Sequence, residues 1–163
     1  MLQRRACNML IPLFAALTLA SAPITSQDVR KDSEVQVIDV TEEPLVVFRS
    51  VEKAWQAGDA QALAGLASES KVFIKIRGIE RRGEYFTKPQ IFYIFKGMFA
   101  STSQTSFAFV KYHNLEKQDS RVYGMALRSY KSNRSGGLYK DTVYVTLAKE
   151  GSRWAITEIK STW

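Results

Sequence analysis

Apolar residues recur along this chain with two different periods, and the change from one to the other divides it. Over residues 84–100, Ile91, Phe92, Ile94, Phe95, Met98 and Phe99 fall into one apolar arc of roughly 160° at helical spacing. Tyr93, Lys96, Gly97 and Ala100 take the other side. Thr87 followed by Gln90 reads as a capping box, Pro89 sits in the tolerated first turn, and Phe86 is placed to staple onto Ile91. This stretch is therefore predicted to be the central helix. A second amphipathic helix is predicted from a Thr41 cap to about Ala57. Val47, Phe48, Val51, Ala54 and Trp55 share its inner face, Leu45 borders that face, Val46 departs from the pattern, and Val40 is in reach of Leu45. Gly58 fits the position after a helix end, and Asp59 can cap a shorter helix through Ala67 with Leu63 and Leu66 facing in.

The remaining pattern has period two. Residues 71–77 alternate Val72, Ile74 and Ile76 with Lys75 and Arg77, a half-buried strand in which Phe73 interrupts the polar side. A charged turn at 78–83 leads to a short return strand at 84–86. After a polar linker at 101–104, four strands are predicted, at 105–114, 121–130, 138–149 and 153–162. In the first, Phe107 and Phe109 share a face with Lys111 and His113, while Ala108, Val110 and Tyr112 take the other. The connections are a turn at 117–120, a hairpin at 132–137 in which Asn133 and the paired glycines supply positive φ, and a turn at 150–152. Helices followed by long antiparallel strands make an α+β domain with one curved sheet.

Length and composition narrow this to one core. The chain has 163 residues, 45% of them apolar and 12% aromatic, enough for one hydrophobic domain and too few for two. Met1-Leu-Gln-Arg-Arg5 followed by an apolar run from Met9 to Ala22 has the layout of a secretory signal, with cleavage expected after Ala22 or near Ser26. Residues 1–26 are thus expected to be a signal peptide, 27–43 a polar tether that can add one edge strand, and 44–163 the folded domain, exported to the periplasm or secreted. Cys7, the single cysteine, would leave with the signal, so no disulfide, thiol nucleophile or cysteine metal site would remain. Loss of Arg4 and Arg5 leaves 21 basic residues against 16 acidic ones and takes the net charge from +7 to +5. That surplus serves solubility, and after export its counterparts would be lipid head groups, polysaccharide or an acidic small ligand.

Two stretches, Lys53-Ala-Trp-Gln-Ala-Gly-Asp-Ala-Gln-Ala-Leu-Ala-Gly-Leu-Ala67 and Gly151-Ser-Arg-Trp-Ala-Ile156, resemble nuclear transport factor two-like domains, the superfamily of SnoaL-like cyclases and ketosteroid isomerases. The helix ending in a Gly-Asp corner and the closing strand with its glycine turn, tryptophan and isoleucine carry the likeness. Gly83-Glu-Tyr-Phe-Thr-Lys-Pro-Gln90, its aromatic helix and the stretch from Ser106 to His113 are similar to a secreted bacterial branch known only as a domain of unknown function. The resemblance covers about residues 44–163. It implies a cone in which three N-terminal helices pack in a strongly curved, mainly antiparallel sheet. It also implies that any proton-moving residue would lie deep in that cone.

Little in the chain is suited to such chemistry. His113, the only histidine, removes any two-histidine metal motif or relay, and its position near a strand end favours a partly exposed strand residue over a base. Glu158 shares a face with Trp154 and Ile156 if the closing strand is regular, which would place a carboxylate among apolar groups. A bulge would put it in solvent instead. Asp141 reads as the end of a buried face. Arg128, Lys131, Arg134 and Lys140 cluster on one hairpin, where they bind an anion or simply keep the sheet edge solvated. Tyr112, Tyr123, Tyr130, Tyr139 and Tyr144, with Trp55 and Trp154, are either cavity wall or sheet filler. No phosphate loop, serine elbow or RNA-binding signature is present.

The expectation is a non-catalytic exported module binding a small apolar or aromatic ligand, or a protein partner. Its cavity would be bordered by Trp55, Phe92, Phe99 and Tyr123, with Glu158 at most at the edge. No cofactor, metal, nucleic acid or stable membrane insertion is expected. An isomerase, dehydratase or cyclase using Glu158 or His113 is the alternative, and a homodimer through the curved sheet the third.

Overall fold

The structure, a computed structural model, describes residues 44–80, 82–116 and 121–162. The expected signal peptide, the tether, the Thr41 cap with its Val40 staple, and the 117–120 turn lie outside the described residues. In chain order the elements are α1 (Pro44–Ala57), α2 (Ala60–Gly65), β1 (Val72–Lys75), β2 (Glu84–Phe86), α3 (Lys88–Ser101), β3 (Thr102–His113), β4 (Val122–Ser132), β5 (Leu138–Glu150) and β6 (Arg153–Thr162). The strands form one curved six-stranded sheet in the order β2-β1-β6-β5-β4-β3, antiparallel except where β1 runs parallel to β6. This is the α+β architecture expected from the pattern. Among the described residues no helix is long and apolar enough to cross a membrane.

Each helix follows from its apolar stripe. Val47, Phe48, Val51, Ala54 and Trp55 of α1 are all buried. Gly58 adopts φ +67°, the left-handed conformation that ends a helix without steric cost only for glycine. The Asp59 carboxylate then accepts from the Ala62 amide at 2.9 Å and starts α2. At the start of α3 the Gln90 Oε1 accepts from the Thr87 amide at 2.8 Å and from the Thr87 hydroxyl at 2.9 Å. The wide arc expected for α3 is narrower in fact. Ile91, Phe95 and Met98 are buried, whereas Phe92, Ile94 and Phe99 are half-buried along its margins. Through this line Phe95 packs on Trp55 of α1 and Met98 lies beside Arg128 of β4.

An ion-pair group ties the start of α3 to the loop before β1. Lys88 Nζ lies 2.6 Å from Glu69, and Arg153 reaches the same carboxylate at 3.3 Å. Lys88, and secondarily Arg153, hold the Glu69 carboxyl below the usual carboxylate range.

Three expectations about the sheet and its connections are corrected. The polar stretch 101–104 is not a linker, because α3 runs to Ser101 and β3 begins at Thr102. The Ser101 and Thr102 hydroxyls both donate to the Met98 carbonyl, at 3.0 and 2.8 Å, and turn the helix directly into the strand. The expected faces of β3 also fail beyond Phe109, where a bulge at Val110 shifts the register. Tyr112 therefore joins Phe109 against Phe48, with ring centroids at 5.2 and 5.0 Å, while Lys111 points away. Gly124, opposite Tyr112, makes room for these rings, since a Cβ there would stand 2.7 Å from Phe109 and 2.9 Å from Phe48. In the β4–β5 loop Gly136 has the positive φ and Asn133 does not. Asn133 instead donates from Nδ2 to the Ala100 carbonyl and accepts from Ser103, both at 3.1 Å.

The outer edge of β3 is covered rather than free. Glu52 of α1 accepts from the Phe109 amide at 2.9 Å, and Gln56 donates to the Phe107 carbonyl at 2.7 Å, which removes part of a template for edge-to-edge pairing.

Candidate functional site

The sheet has a face packed on the helices and an open face, and the sequence-predicted site residues are divided between them. On the helix face Trp55 is fully buried. It stacks on Phe107 at 4.4 Å and meets Phe95 and Phe99 edge-on at 5.2 and 6.3 Å. Phe92 lies elsewhere, in a depression between α2 and α3 lined by Gln61, Ala64, Gly65, Pro89 and Tyr93. Tyr123 lies on the open face. The four residues expected to border one cavity thus do not converge, because aromatic packing surrounds Trp55 and the sheet itself separates it from Tyr123.

What the helix face holds, and what the sequence reading missed, is a buried ion pair. Arg128 donates from Nε to Asp141 Oδ1 at 2.8 Å and from Nη2 to Oδ2 at 2.5 Å, with side-chain exposures of 1% and 0%. The guanidinium also donates to the Arg77 carbonyl at 3.3 Å and lies 4.3 Å from the Tyr130 ring centroid. Every strong acceptor of Asp141 is thereby engaged by one bidentate partner. Arg128 is accordingly no member of an exposed basic cluster, whereas Lys131, Arg134 and Lys140 are exposed. The signal was in the hairpin: Arg128 and Asp141 are cross-strand partners symmetrical about the loop, so the turn register predicts that they meet.

The open face carries the other candidates in one row. His113, Tyr123, Thr146, Glu158 and Phe73 are successive cross-strand partners across β3, β4, β5, β6 and β1. Glu158 is there because the register of β6 slips beside Thr146 and Leu147, leaving Thr157 as the extra residue. Past this bulge Ile159 and Ser161 are buried, while Glu158 and Lys160 turn outward. The regular strand that would have set Glu158 beside Trp154 and Ile156 is not formed. Glu158 keeps 27% side-chain exposure, pairs with Lys160 at 2.9 Å and accepts from the Thr146 hydroxyl at 3.2 Å. His113 stacks on Tyr123 at 4.4 Å and 14°. Three strand spacings, about 14 Å, separate its position from that of Glu158, so the two do not address one reacting atom.

Around this row lies a trough of about 570 Å³, within the range of about 300–1,000 Å³ typical of ligand sites. Tyr123, Tyr144, Thr146 and Glu158 line its middle, with Lys75 and Lys160 toward β1 and Arg121 and Asn114 toward the far end. Lys111, Met125, Tyr144, Lys160 and Lys75 form the next row. Beyond it a depression of about 530 Å³ is lined by Leu127, Ser129, Lys140 and Thr142. Lys75, Arg121 and Lys160 were not singled out from sequence; only the strand registers bring them together. Among the described residues no group of three His, Cys, Asp or Glu side chains could hold a metal ion.

No protein-family model matches the chain, and no curated protein matches it. Solved structures do. A DUF4783 family protein from Bacteroides ovatus is 17% identical, with a TM-score of 0.57 over 74% of this chain and 94% of its own. A ketosteroid isomerase-like protein from Erwinia carotovora atroseptica is 8% identical, with a TM-score of 0.59 over 76% and 95%. A protein of ketosteroid isomerase-like fold from Catenulispora acidiphila, solved in complex with trimethylamine, is 16% identical, with a TM-score of 0.55 over 72% and 84%. The fold is that of nuclear transport factor two-like domains, with structures of a domain of unknown function among its neighbours.

Proposed function

We propose that this domain is a non-catalytic binding module of an exported protein and that its ligand site is the open-face trough. The observation that carries the reading is the convergence of Tyr123 and Tyr144 with Lys75, Lys160 and Glu158 in one depression of ligand size. Amphipathic walls with a few polar groups are what small-molecule sites are made of. A non-catalytic role is supported by the state of the two acid–base candidates. Glu158 is already engaged by Thr146 and Lys160, and His113 lies against Tyr123 on the far side of the row. The neighbours of the same fold are consistent with a module of unknown function and assign it no reaction. Export rests on the charged and apolar layout of the first 26 residues.

The test is a screen of the folded domain against a small-molecule collection, with mass spectrometry reading both retention and conversion. Bound compounds recovered unchanged are expected. Conversion that Glu158→Gln abolishes would replace this reading with a single-residue isomerase or cyclase.

One observation favours a second reading, self-association through the same face. Leu127 is 51% exposed, and Ala108, its cross-strand partner, is exposed beside it. A dimer in sedimentation that Leu127→Lys dissolves would assign the face to assembly.

A further inference from the structure

Building on the binding reading above, we propose that the trough takes a small aromatic carboxylate, its ring over Tyr144 and Tyr123 and its carboxylate between Lys75 and Lys160. The charge argument comes first. Lys75 and Lys160 are direct cross-strand partners on the open face, and like charges so placed repel. Glu158 answers only one of them, pairing with Lys160 at 2.9 Å. Lys75 is half-buried and, among the described residues, has no carboxylate within bridging distance. An ammonium without a counter-charge, set beside a second cation, is stabilised by an anion placed between the two. Arg121 adds positive charge from the other end of the trough, so among the described residues its lining carries three cations against one carboxylate.

The shape of the anion follows from what surrounds it. The floor is strand backbone whose amides are committed to the sheet ladder, with no run of free amides of the kind that cradles a phosphate. The charged donors beside Tyr144 are two lysine ammonium groups, compact point charges that suit a single carboxylate, while Arg121 stands at the other end of the trough. One strand over from Lys160, in the same row, stands Tyr144, with Tyr123 diagonal to it on β4. His113 covers Tyr123 on the side toward β3 at 4.4 Å, which holds that ring in place, and Thr146 on its other side opens into the trough. Flat aromatic surface one strand spacing, about 5 Å, from the position of Lys160 and two from that of Lys75 matches the short ring-to-carboxylate reach of an aryl acid. A sugar would leave the cations unanswered, and a simple aliphatic acid would leave the tyrosines uncovered.

Titration of isotope-labelled protein with benzoate, benzamide and acetate, followed by amide chemical shifts, tests the assignment. Benzoate should bind at least about fivefold more tightly than either analogue, with shifts centred on Tyr144, Thr146 and Lys75 and an affinity that falls with added salt. Lys75→Gln, which keeps the stem and drops the charge, should weaken benzoate about three- to tenfold and bring it level with benzamide. Tyr144→Ala should weaken both ring compounds. Equal binding of benzoate and benzamide, no effect of Lys75→Gln, no benzoate binding, or shifts centred away from the trough would each overturn the proposal. The broader reading fails separately: neutral compounds in the trough would keep the binding module and reject the acid, whereas silence of the whole collection would reject both.

Discussion

Replacing Asp141 with leucine keeps most of the side-chain volume and strips Arg128 of the carboxylate it pairs with, at a site where the two side chains are 0% and 1% exposed. The cost can be reached by two routes. Arg128 makes two charge-assisted hydrogen bonds to Asp141, at 2.8 and 2.5 Å, and bonds to charged groups contribute about 1.5–3 kcal/mol each. Independently, breaking a buried pair by removing one partner costs about 3–5 kcal/mol, because the remaining charge is left uncompensated. Both lead to about 4 kcal/mol, a large part of the roughly 5–15 kcal/mol that holds a domain together. Arg128→Met combined with Asp141→Leu removes both charges and keeps apolar contact with Tyr130, so it should return to within about 1–2 kcal/mol of the parent. Urea unfolding followed by the fluorescence of Trp55 and Trp154 measures both variants. With a slope near 2 kcal/mol per molar urea, the single variant should lose about 2 M in midpoint. A loss below about 1 kcal/mol for Asp141→Leu, or a double variant no better than the single one, would refute the view that pairing, not packing, makes Asp141 necessary.

Three further outcomes follow, two from the packing and charges and one from the layout of the first residues. Phe95→Ala should cost about 3–5 kcal/mol in denaturant titration, since Phe95 is 0% exposed, while Tyr93→Ala should cost under about 0.5 kcal/mol because Tyr93 is 70% exposed. Burial, with the nearby Glu52 charge, pushes the Tyr112 hydroxyl above its ordinary value, Arg49 opposing in part. The favoured state is protonated, so this contribution is whole below about pH 10 and fades as pH rises further. Absorbance titration should show a tyrosine step above the ordinary range that Tyr112→Phe removes, and the absence of that step would contradict the placement. Intact-mass analysis of protein recovered from the cell envelope should show a chain lacking its first 22 to 26 residues, whereas a species retaining Cys7 would reject export.

Local signals were legible in the sequence, and long-range register was not. The α3 start was readable because Thr87, Pro89 and Gln90 act within one turn, and the inner face of α1 because five apolar residues repeat at helical spacing. Residues 153–162 were located to the residue. Their phase was not, because Ala155 and Ile159 are as apolar as Trp154 and Ile156, and nothing local marks Thr157 as the bulged position. The same ambiguity hid the shift at Val110, which took Tyr112 inward. The polar stretch Ser-Thr-Ser-Gln at 101–104 reads as loop by composition, yet the Ser101 and Thr102 hydroxyls cap the helix and its backbone pairs with β4. The candidate site suffered most, since its row from His113 to Phe73 joins five strands and depends on every register between them. Only the Arg128–Asp141 meeting, set by a single hairpin, was within reach of sequence reasoning.

The central claim is that the ligand site lies on the open face of the sheet and not among the aromatic side chains beneath the helices. The most direct measurement is a structure of the domain with the compounds retained in the screen, recorded to locate each one. Density against Tyr123 and Tyr144, with Trp55 still stacked on Phe107, is the predicted result. A ligand inserted beside Trp55, Phe95 and Phe99, or an open face covered by a second copy of the chain while no compound binds, would contradict the account.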